Sequence, residues 1–370
     1  MKTFSVPTRV YSGDDSLKVL GRFRQRKIWI ICDGFLATSP LLERLKQALP
    51  ADNPLSLFSD ITPDPTIATV VKGIEQMQAL RPDVVIGFGG GSALDAAKAI
   101  VWFSRQQGID IETCIAIPTT SGTGSEVTSA FVISDPSKGI KYPLFSDEIY
   151  PDIAILDPTL VATVPPAITA NTGMDVLTHA LEAYVSPRAS DFTDALAEKA
   201  AQLVFRHLPT ACRQGDCLIT RGKMHNASTL AGIAFSQAGL GINHAIAHQL
   251  GGQFHIAHGL ANALLLVPVI QYNAADNRAR KRYARLAQVC GISPAQCDER
   301  QAVNQLIQRI EQLKNQCGLP RYLRDLKVGA NQLEASIPAM IVAAQADATL
   351  KTTPRAATAA DIREIIEALL

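Results

Sequence analysis

The chain has 370 residues, 47% of them hydrophobic and 19% charged, which fits a globular protein with room for two cores and excludes a disordered one. Thirty-five Lys+Arg against 34 Asp+Glu leave a net charge of +1 with no long basic run, so nucleic acid is not an expected partner. The first residues lack an apolar signal region. The longest apolar run, 263–270, is interrupted by Pro268 and too short for a bilayer, so neither secretion nor a membrane span is expected.

Residues 1 to about 165 read as alternating strands and helices. Lys27 to Cys32 is a short apolar run ending at Asp33-Gly34, the pattern of a buried strand and its turn. Ser39-Pro40 opens a segment of helical spacing that runs to Leu49. Leu55 to Phe58 is the next strand, 66–80 an amphipathic helix, and Asp83 to Phe88 a third strand. This rhythm predicts a parallel sheet with helices on its faces.

The third strand runs into Gly89-Gly90-Gly91-Ser92 and then a helix, an arrangement suited to phosphate. The run is neither G-x-G-x-x-G nor a Walker A loop, and glycine runs also make plain turns. The next strand, Cys114 to Ile117, delivers Pro118-Thr119-Thr120-Ser121-Gly122-Thr123-Gly124-Ser125-Glu126-Val127-Thr128, rich in hydroxyls and glycines. Two such loops at strand ends fit ligand binding at the carboxyl edge of a parallel sheet. Asp33 also ends a strand, where a carboxylate would accept from an adenosine ribose and repel a 2′-phosphate. It precedes the glycines, so the strand order is expected to be a variant. A simple turn at Asp33-Gly34 is the competing reading.

Val164-Pro165-Pro166 marks a change of character. Beyond it the segments 167–185, 192–208, 220–235, 242–251, 275–290, 299–316 and 359–369 have helical spacing, and no strand alternation is evident. Gly318-Leu319-Pro320 reads as a helix stop. The cluster Arg278 to Arg282 reads as a solvated helix face. The seven cysteines are scattered, none in C-x-x-C, and read as reduced thiols of a cytosolic protein.

Four of the seven histidines fall between Gly239 and Gly259. His244 and His248 share one face of a helix that is expected to end at Gly251-Gly252, with His258 following the turn. Asp175 and His179 have the same four-residue spacing upstream. If both segments are helical, Asp175, His179, His244 and His258 converge as one carboxylate and three imidazoles, a set for Fe(II) or Zn(II). The competing reading is that these histidines pack individually.

The motifs Ile86-Gly87-Phe88-Gly89-Gly90-Gly91-Ser92, Pro118 to Glu126, Asp157-Pro158, Gly173-Met174-Asp175 with His179-Ala180-Leu181-Glu182, and His244, His248 and His258-Gly259 together resemble the iron-containing (group III) alcohol dehydrogenases. The resemblance spans nearly the whole chain. It implies an α/β N-terminal domain over residues 1–165, a Rossmann-like parallel-sheet variant that binds NAD(H). An all-helical metal-binding C-terminal domain is implied over residues 166–370, with the active site in the cleft between. It puts the metal ligands on Asp175, His179, His244 and His258, and the cofactor contacts on Asp33, Gly91, Ser92, Thr119, Thr120, Thr128, Lys141 and Leu160. It gives His248 a catalytic place near the substrate as a proton-relay candidate, puts Phe235 beside the substrate, and leaves His255 without a ligand role.

Whole-chain similarity further implies NADH-dependent reduction of propanal and other short aldehydes to the alcohol, with 1-propanol as the product. NAD would be regenerated during propanediol degradation for a CoA-acylating aldehyde dehydrogenase inside a bacterial microcompartment shell. The apolar segment Leu230 to Phe235 is consistent with a short alkyl chain. A homo-oligomer, most simply a dimer, is expected. The alternatives are an ethanol, butanol or lactaldehyde member of the same group, a zinc-dependent glycerol dehydrogenase, a dehydroquinate synthase, or a non-catalytic binding protein. The complete ligand set disfavours the last.

Overall fold

The computed structural model describes residues 3–137 and 140–370; Met1 and Lys2, part of the stretch inspected for a leader, lie outside them. The chain divides into two compact units, Met1–Thr163 and Val164–Leu370.

The strands of the first unit are β1 (Arg9–Ser12), β2 (Ile28–Asp33), β3 (Leu55–Ile61), β4 (Val84–Gly89), β5 (Thr113–Pro118), β6 (Ala130–Asp135), β7 (Ile140–Phe145) and β8 (Ile153–Leu156). Its α-helices are α1 (Pro40–Ala48), α2 (Ile67–Leu80) and α3 (Gly91–Gln106). Six strands form one sheet in the order β1-β8-β5-β4-β2-β3, every pair parallel, and β6 and β7 form a separate antiparallel hairpin. The apolar run of β2 shows why the sheet is covered on both faces. Trp29 and Ile31 pack with Val70 and Met77 of α2 and Ile100 of α3, while Ile28 and Ile30 pack with Leu42 and Leu45 of α1. The helix start at Ser39 is capped as expected, its hydroxyl accepting from Leu42 N–H, and the Thr66 hydroxyl caps α2 in the same way by accepting from Thr69 N–H.

The strand order explains the position of Asp33. β2 lies directly beside β4, with Cys32 opposite Phe88, so an acid earlier in the chain reaches the glycines that end β4. The hairpin was not legible as such.

The second unit contains α4 (Pro166–Val185), α5 (Asp191–Arg213), α6 (Leu218–Ala238), α7 (Ile242–Phe254), α8 (His258–Asn273), α9 (Asn277–Val289), α10 (Glu299–Gln316), α11 (Ala330–Ala346) and α12 (Ala359–Glu367), and no strand among the described residues. α4 is buried on nearly every side from Gly173 to Val185, including the polar Asp175, Thr178, His179 and Glu182. Its core is shared with α5, α6, α9 and α10. A second core joins α7 and α8 to α11 and α12. No helix among the described residues is long and apolar enough to cross a membrane.

Three expectations are corrected. α7 does not stop at Gly251-Gly252 but runs through both glycines to Phe254, and the chain turns at His255, whose φ of 54° is left-handed. The apolar run 263–270 lies within α8, which accommodates Pro268 in its interior. The cluster 278–282 is only in part a solvated face: Arg278 and Lys281 are exposed, but Arg278 also donates to the Ser186 carbonyl, and the half-buried Arg282 donates to the Tyr184 carbonyl and pairs with Asp194. These carbonyls end α4, so the cluster closes a helix C-terminus.

Candidate active site

Spacing along α4 sets the first half of the site. Asp175, His179 and Glu182 fall at i, i+4 and i+7, so all three side chains lie on one face of a buried helix. α7 supplies His244 and His248 on one face, and α8 supplies His258 and Asn262 one turn apart. The approach of α8 to α4 depends on Gly259, because a Cβ there would lie 2.2 Å from the Asn171 carbonyl oxygen. Only glycine lets the backbones come this close, and that brings His258 to Asp175.

Asp175 Oδ1 lies 3.8 Å from His179 Nε2, 3.7 Å from His244 Nε2 and 3.6 Å from His258 Nε2. All four donor atoms fall within 4.8 Å of one another. Bonds of about 2.0–2.1 Å to a tetrahedral ion give donor–donor edges of about 3.4 Å, so this spacing fits a divalent transition metal. Burial works against ionisation of Asp175, but the surrounding His179, His258 and His244 hold its carboxyl well below the usual range. Asp175, His179 and His244 are buried, whereas the His258 side chain is 43% exposed.

A further layer holds these donors in place. Glu182 Oε2 lies 2.5 Å from His244 Nδ1, and Glu182 Oε1 accepts from the Asn243 N–H at 2.8 Å. Burial opposes protonation of His244, yet Glu182 and Asp175 push its pKa up to about 9. The carboxylate holds the Nδ1 proton, so Nε2 is the nitrogen turned to Asp175 and the one a metal would take in exchange for a proton. Asn262 Nδ2 donates to Asp175 Oδ1 at 2.7 Å. The ring of Phe235 lies 4.5 Å from that of His179, giving the site an apolar wall.

His248 stands beside the set, with its ring 5.5 Å from His258 and 6.1 Å from His244. Its Nδ1 is 2.7 Å from Asp347 Oδ2. The other Asp347 oxygen accepts from the N–H and hydroxyl of Thr349, so the acid also caps a short 3-10 helix at Ala348–Thr352. His255 is exposed and serves as the left-handed end of α7.

In the first unit, Asp33, Gly91, Ser92, Thr119 and Thr120 gather at the carboxyl ends of β2, β4 and β5. Asp33 is partly buried, accepts from the Gly90 N–H, and has its pKa raised by burial. Gly89 has φ +152°, and a Cβ there would meet Asp33 Oδ2 at 2.5 Å. A Cβ on Gly91 would meet Thr123 Cγ2 at 2.6 Å, so the two glycine- and hydroxyl-rich loops are in close contact. Gly90 caps α3 without a side-chain acceptor, which leaves the first N–H groups of the helix for an anion.

Three other predicted contacts have different surroundings. The Thr128 hydroxyl is taken up by Lys98 Nζ at 3.1 Å, a buried ammonium that also holds the Ser125 carbonyl. Leu160 is fully buried in the sheet core, so only its backbone can face a ligand. Lys141 sits on the hairpin, paired with Asp64 at 2.6 Å. The residues not singled out from the sequence are Glu182, Asn243, Asn262 and Asp347. Helical spacing from His179 and His258 was a usable signal for Glu182 and Asn262; none existed for Asp347.

Residues 7–158 match the family model described as iron-containing alcohol dehydrogenase, and residues 169–370 match the C-terminal model of the Fe-containing alcohol dehydrogenase family. The chain is 72% identical to the 1-propanol dehydrogenase PduQ of Salmonella typhimurium (strain LT2), over all of both chains. Its fold matches the crystal structure of a 1,3-propanediol oxidoreductase with a TM-score of 0.92 and 32% identity over all of both chains. It matches sulfoacetaldehyde reductase from Bifidobacterium kashiwanohense, solved in complex with NAD+, with a TM-score of 0.89 and 28% identity over 100% of this chain and 98% of that one.

Proposed function

Because this chain belongs to the iron-containing alcohol dehydrogenase family, whose cofactors are NAD(H) and iron, we propose that it reduces propanal to 1-propanol with NADH. The observation that carries this reading is the convergence of Asp175, His179, His244 and His258 beside the apolar ring of Phe235. The 72% identity to a 1-propanol dehydrogenase supports propanal as the preferred aldehyde. On this reading Asp175, His179, His244 and His258 hold a divalent ion, Fe(II) in the first instance. Asp33, Gly91, Ser92, Thr119, Thr120, Thr128, Lys141 and the Leu160 backbone contact the dinucleotide.

When bound, the ion supplies a Lewis acid for a carbonyl oxygen and the nicotinamide supplies a hydride. The chain's own residues do the rest. Glu182 orients His244 through Nδ1. Phe235 offers apolar surface to an alkyl chain and no hydrogen bond to a polyol, which favours a simple aldehyde over glycerol. Asp347 holds His248 through Nδ1, so Nε2 is the nitrogen turned to the site; when it carries a second proton it hands that proton on toward the product oxygen, directly or through water, and takes one back in the reverse direction. Glycine-lined N–H groups at the start of α3 receive the pyrophosphate, and Asp33 receives the free ribose hydroxyls.

We place the enzyme inside a bacterial microcompartment, as a homo-oligomer that regenerates NAD for a CoA-acylating aldehyde dehydrogenase. The name of the PduQ relative is what supports this placement. The decisive experiment follows NADH oxidation by iron-loaded protein under anaerobic conditions with ethanal, propanal, butanal, lactaldehyde and dihydroxyacetone. Propanal should give the highest kcat/KM, with ethanal and butanal within about 10–200-fold, because one methylene is worth only about 1–3 kcal/mol. A much higher kcat/KM for a hydroxylated substrate would overturn the substrate and leave the family intact.

A further inference from the structure

Asn262 lies outside the four donors, one turn past His258 on α8, and is fully buried. The orientation of its amide is fixed by a chain of hydrogen bonds that begins at an unambiguous acceptor. Asn243 Nδ2 lies 3.2 Å from the backbone carbonyl oxygen of Asn262 and 2.8 Å from Asn262 Oδ1. A backbone carbonyl only accepts, so Asn243 presents its NH2 group there and Asn262 Oδ1 accepts its second N–H. The NH2 of Asn262 therefore points the other way. It donates to Asp175 Oδ1 at 2.7 Å and lies 3.1 Å from His244 Nε2 and 3.2 Å from His258 Nε2. One nitrogen stands at nearly equal distance from three of the four donor atoms.

That position is over the triangular face of the donor set formed by Asp175, His244 and His258. An amide nitrogen has its lone pair delocalised and its N–H groups outward, so it occupies the face without acting as a ligand. On the reading that Asp175, His179, His244 and His258 hold a divalent ion, we propose that Asn262 is the positioning residue that closes this face. A substrate oxygen then reaches the donors only through a face containing His179. Two other observations agree. Asn262 is 0% exposed while the His258 side chain is 43% exposed, so the closed face is the inner one. Phe235 lies against His179, and His248 stands beside His244 and His258, so the apolar wall and the proton-bearing imidazole flank the remaining approach. The amide thus sets both the number of protein ligands, at four, and the side from which an aldehyde enters.

Co(II)-substituted enzyme gives a test independent of turnover, since its visible d–d absorption weakens as coordination number rises. Asn262→Asp keeps the shape and the bond from Asn243 but replaces the NH2 group by an oxygen that coordinates. It should weaken the d–d bands and slow Co(II) release to a chelator by about tenfold. Asn262→Ala opens the face to water. It should also weaken the bands but speed release by about tenfold. If the alanine variant does not fold, the isosteric aspartate decides alone. A spectrum and release rate in Asn262→Asp equal to those of the unmodified protein, or faster release from it, would overturn the role given to Asn262. If the unmodified protein takes up no stoichiometric Co(II), or keeps it after His244→Ala, the four-donor reading falls as well.

Discussion

Asp347 and His248, ninety-nine residues apart in the chain, are joined by a 2.7 Å contact between a carboxylate oxygen and Nδ1. Asp347 is held from both sides, by the imidazole on one oxygen and by Thr349 on the other. The dyad therefore presents His248 in one tautomer and one orientation beside the donor set.

His248→Ala should retain metal and slow aldehyde reduction on the order of 10²-fold, the usual contribution of a positioned proton donor. Asp347→Asn should cost on the order of tenfold, because the imidazole remains but its tautomer is no longer enforced. Steady-state kcat with metal content measured in parallel checks both. Unchanged kcat in His248→Ala would mean a packed histidine. The pair also carries a pH signature. Burial raises the Asp347 carboxyl, but the His248 and Thr349 hydrogen bonds outweigh it and bring the pKa down to about 2 from 3.8. A depressed carboxyl stabilises the fold above its unfolded pKa and loses that contribution as pH falls through its folded one. Thermal denaturation should therefore show a difference between Asp347→Asn and the unmodified protein that shrinks from about pH 4 to about pH 2.

Gly259→Ala tests the packing that delivers His258. The added Cβ would lie 2.2 Å from the Asn171 carbonyl, so α8 must move away from α4. Overpacking of this kind costs about 1–3 kcal/mol. We expect a lowered Tm and metal loss on dialysis approaching that of His244→Ala, although every donor is still present. Full metal occupancy and an unchanged Tm would show that the close approach is not needed.

Asp33→Gly addresses cofactor choice. Asp33 sits at the end of β2 against Gly89 and the Gly90 N–H, where a 2′-phosphate would meet its charge. The unmodified enzyme should have a higher kcat/KM for NADH than for NADPH, and the substitution should bring the two together. Equal values in the unmodified enzyme would remove Asp33 from this role.

The fold was legible where one local rule sufficed. Five consecutive apolar residues in β2 required cover on both faces, and the glycines after β4 required a tight entry to α3. The candidate site was legible in the same way, through the four-residue spacing of Asp175 with His179 and of His244 with His248. What escaped was decided by neighbours distant in sequence. Gly251 and Gly252 carry a stop signal, yet α7 continues because α8, α11 and α12 pack along it. The Arg278 to Arg282 cluster has the composition of a solvated face, but the carbonyls ending α4 claim two of its guanidinium groups. The helix α11 starts at Gly329 without a side-chain cap, and the local role of Asp347 as the cap over Thr349 gives no hint of His248, ninety-nine residues away.

The packing of α7 has a consequence for the order in which the molecule is made. Ile242, Ile246 and Leu250 on the back of α7 share a core with Leu333, Ile337, Ile362 and Ile366, and Leu323 N–H bonds to the Leu369 carbonyl. A chain growing from its N-terminus possesses all four residues of the candidate metal set once residue 258 has been added. The surfaces of α11 and α12 that cover α7, and the acid that fixes His248, arrive only with the last fifty or so residues. Through that interval the donors sit on a helix whose apolar back is still uncovered. Metal loading that precedes release from the ribosome would meet a softer site than the finished one, and a cut ahead of α11 would leave α7 without that cover and His248 without Asp347.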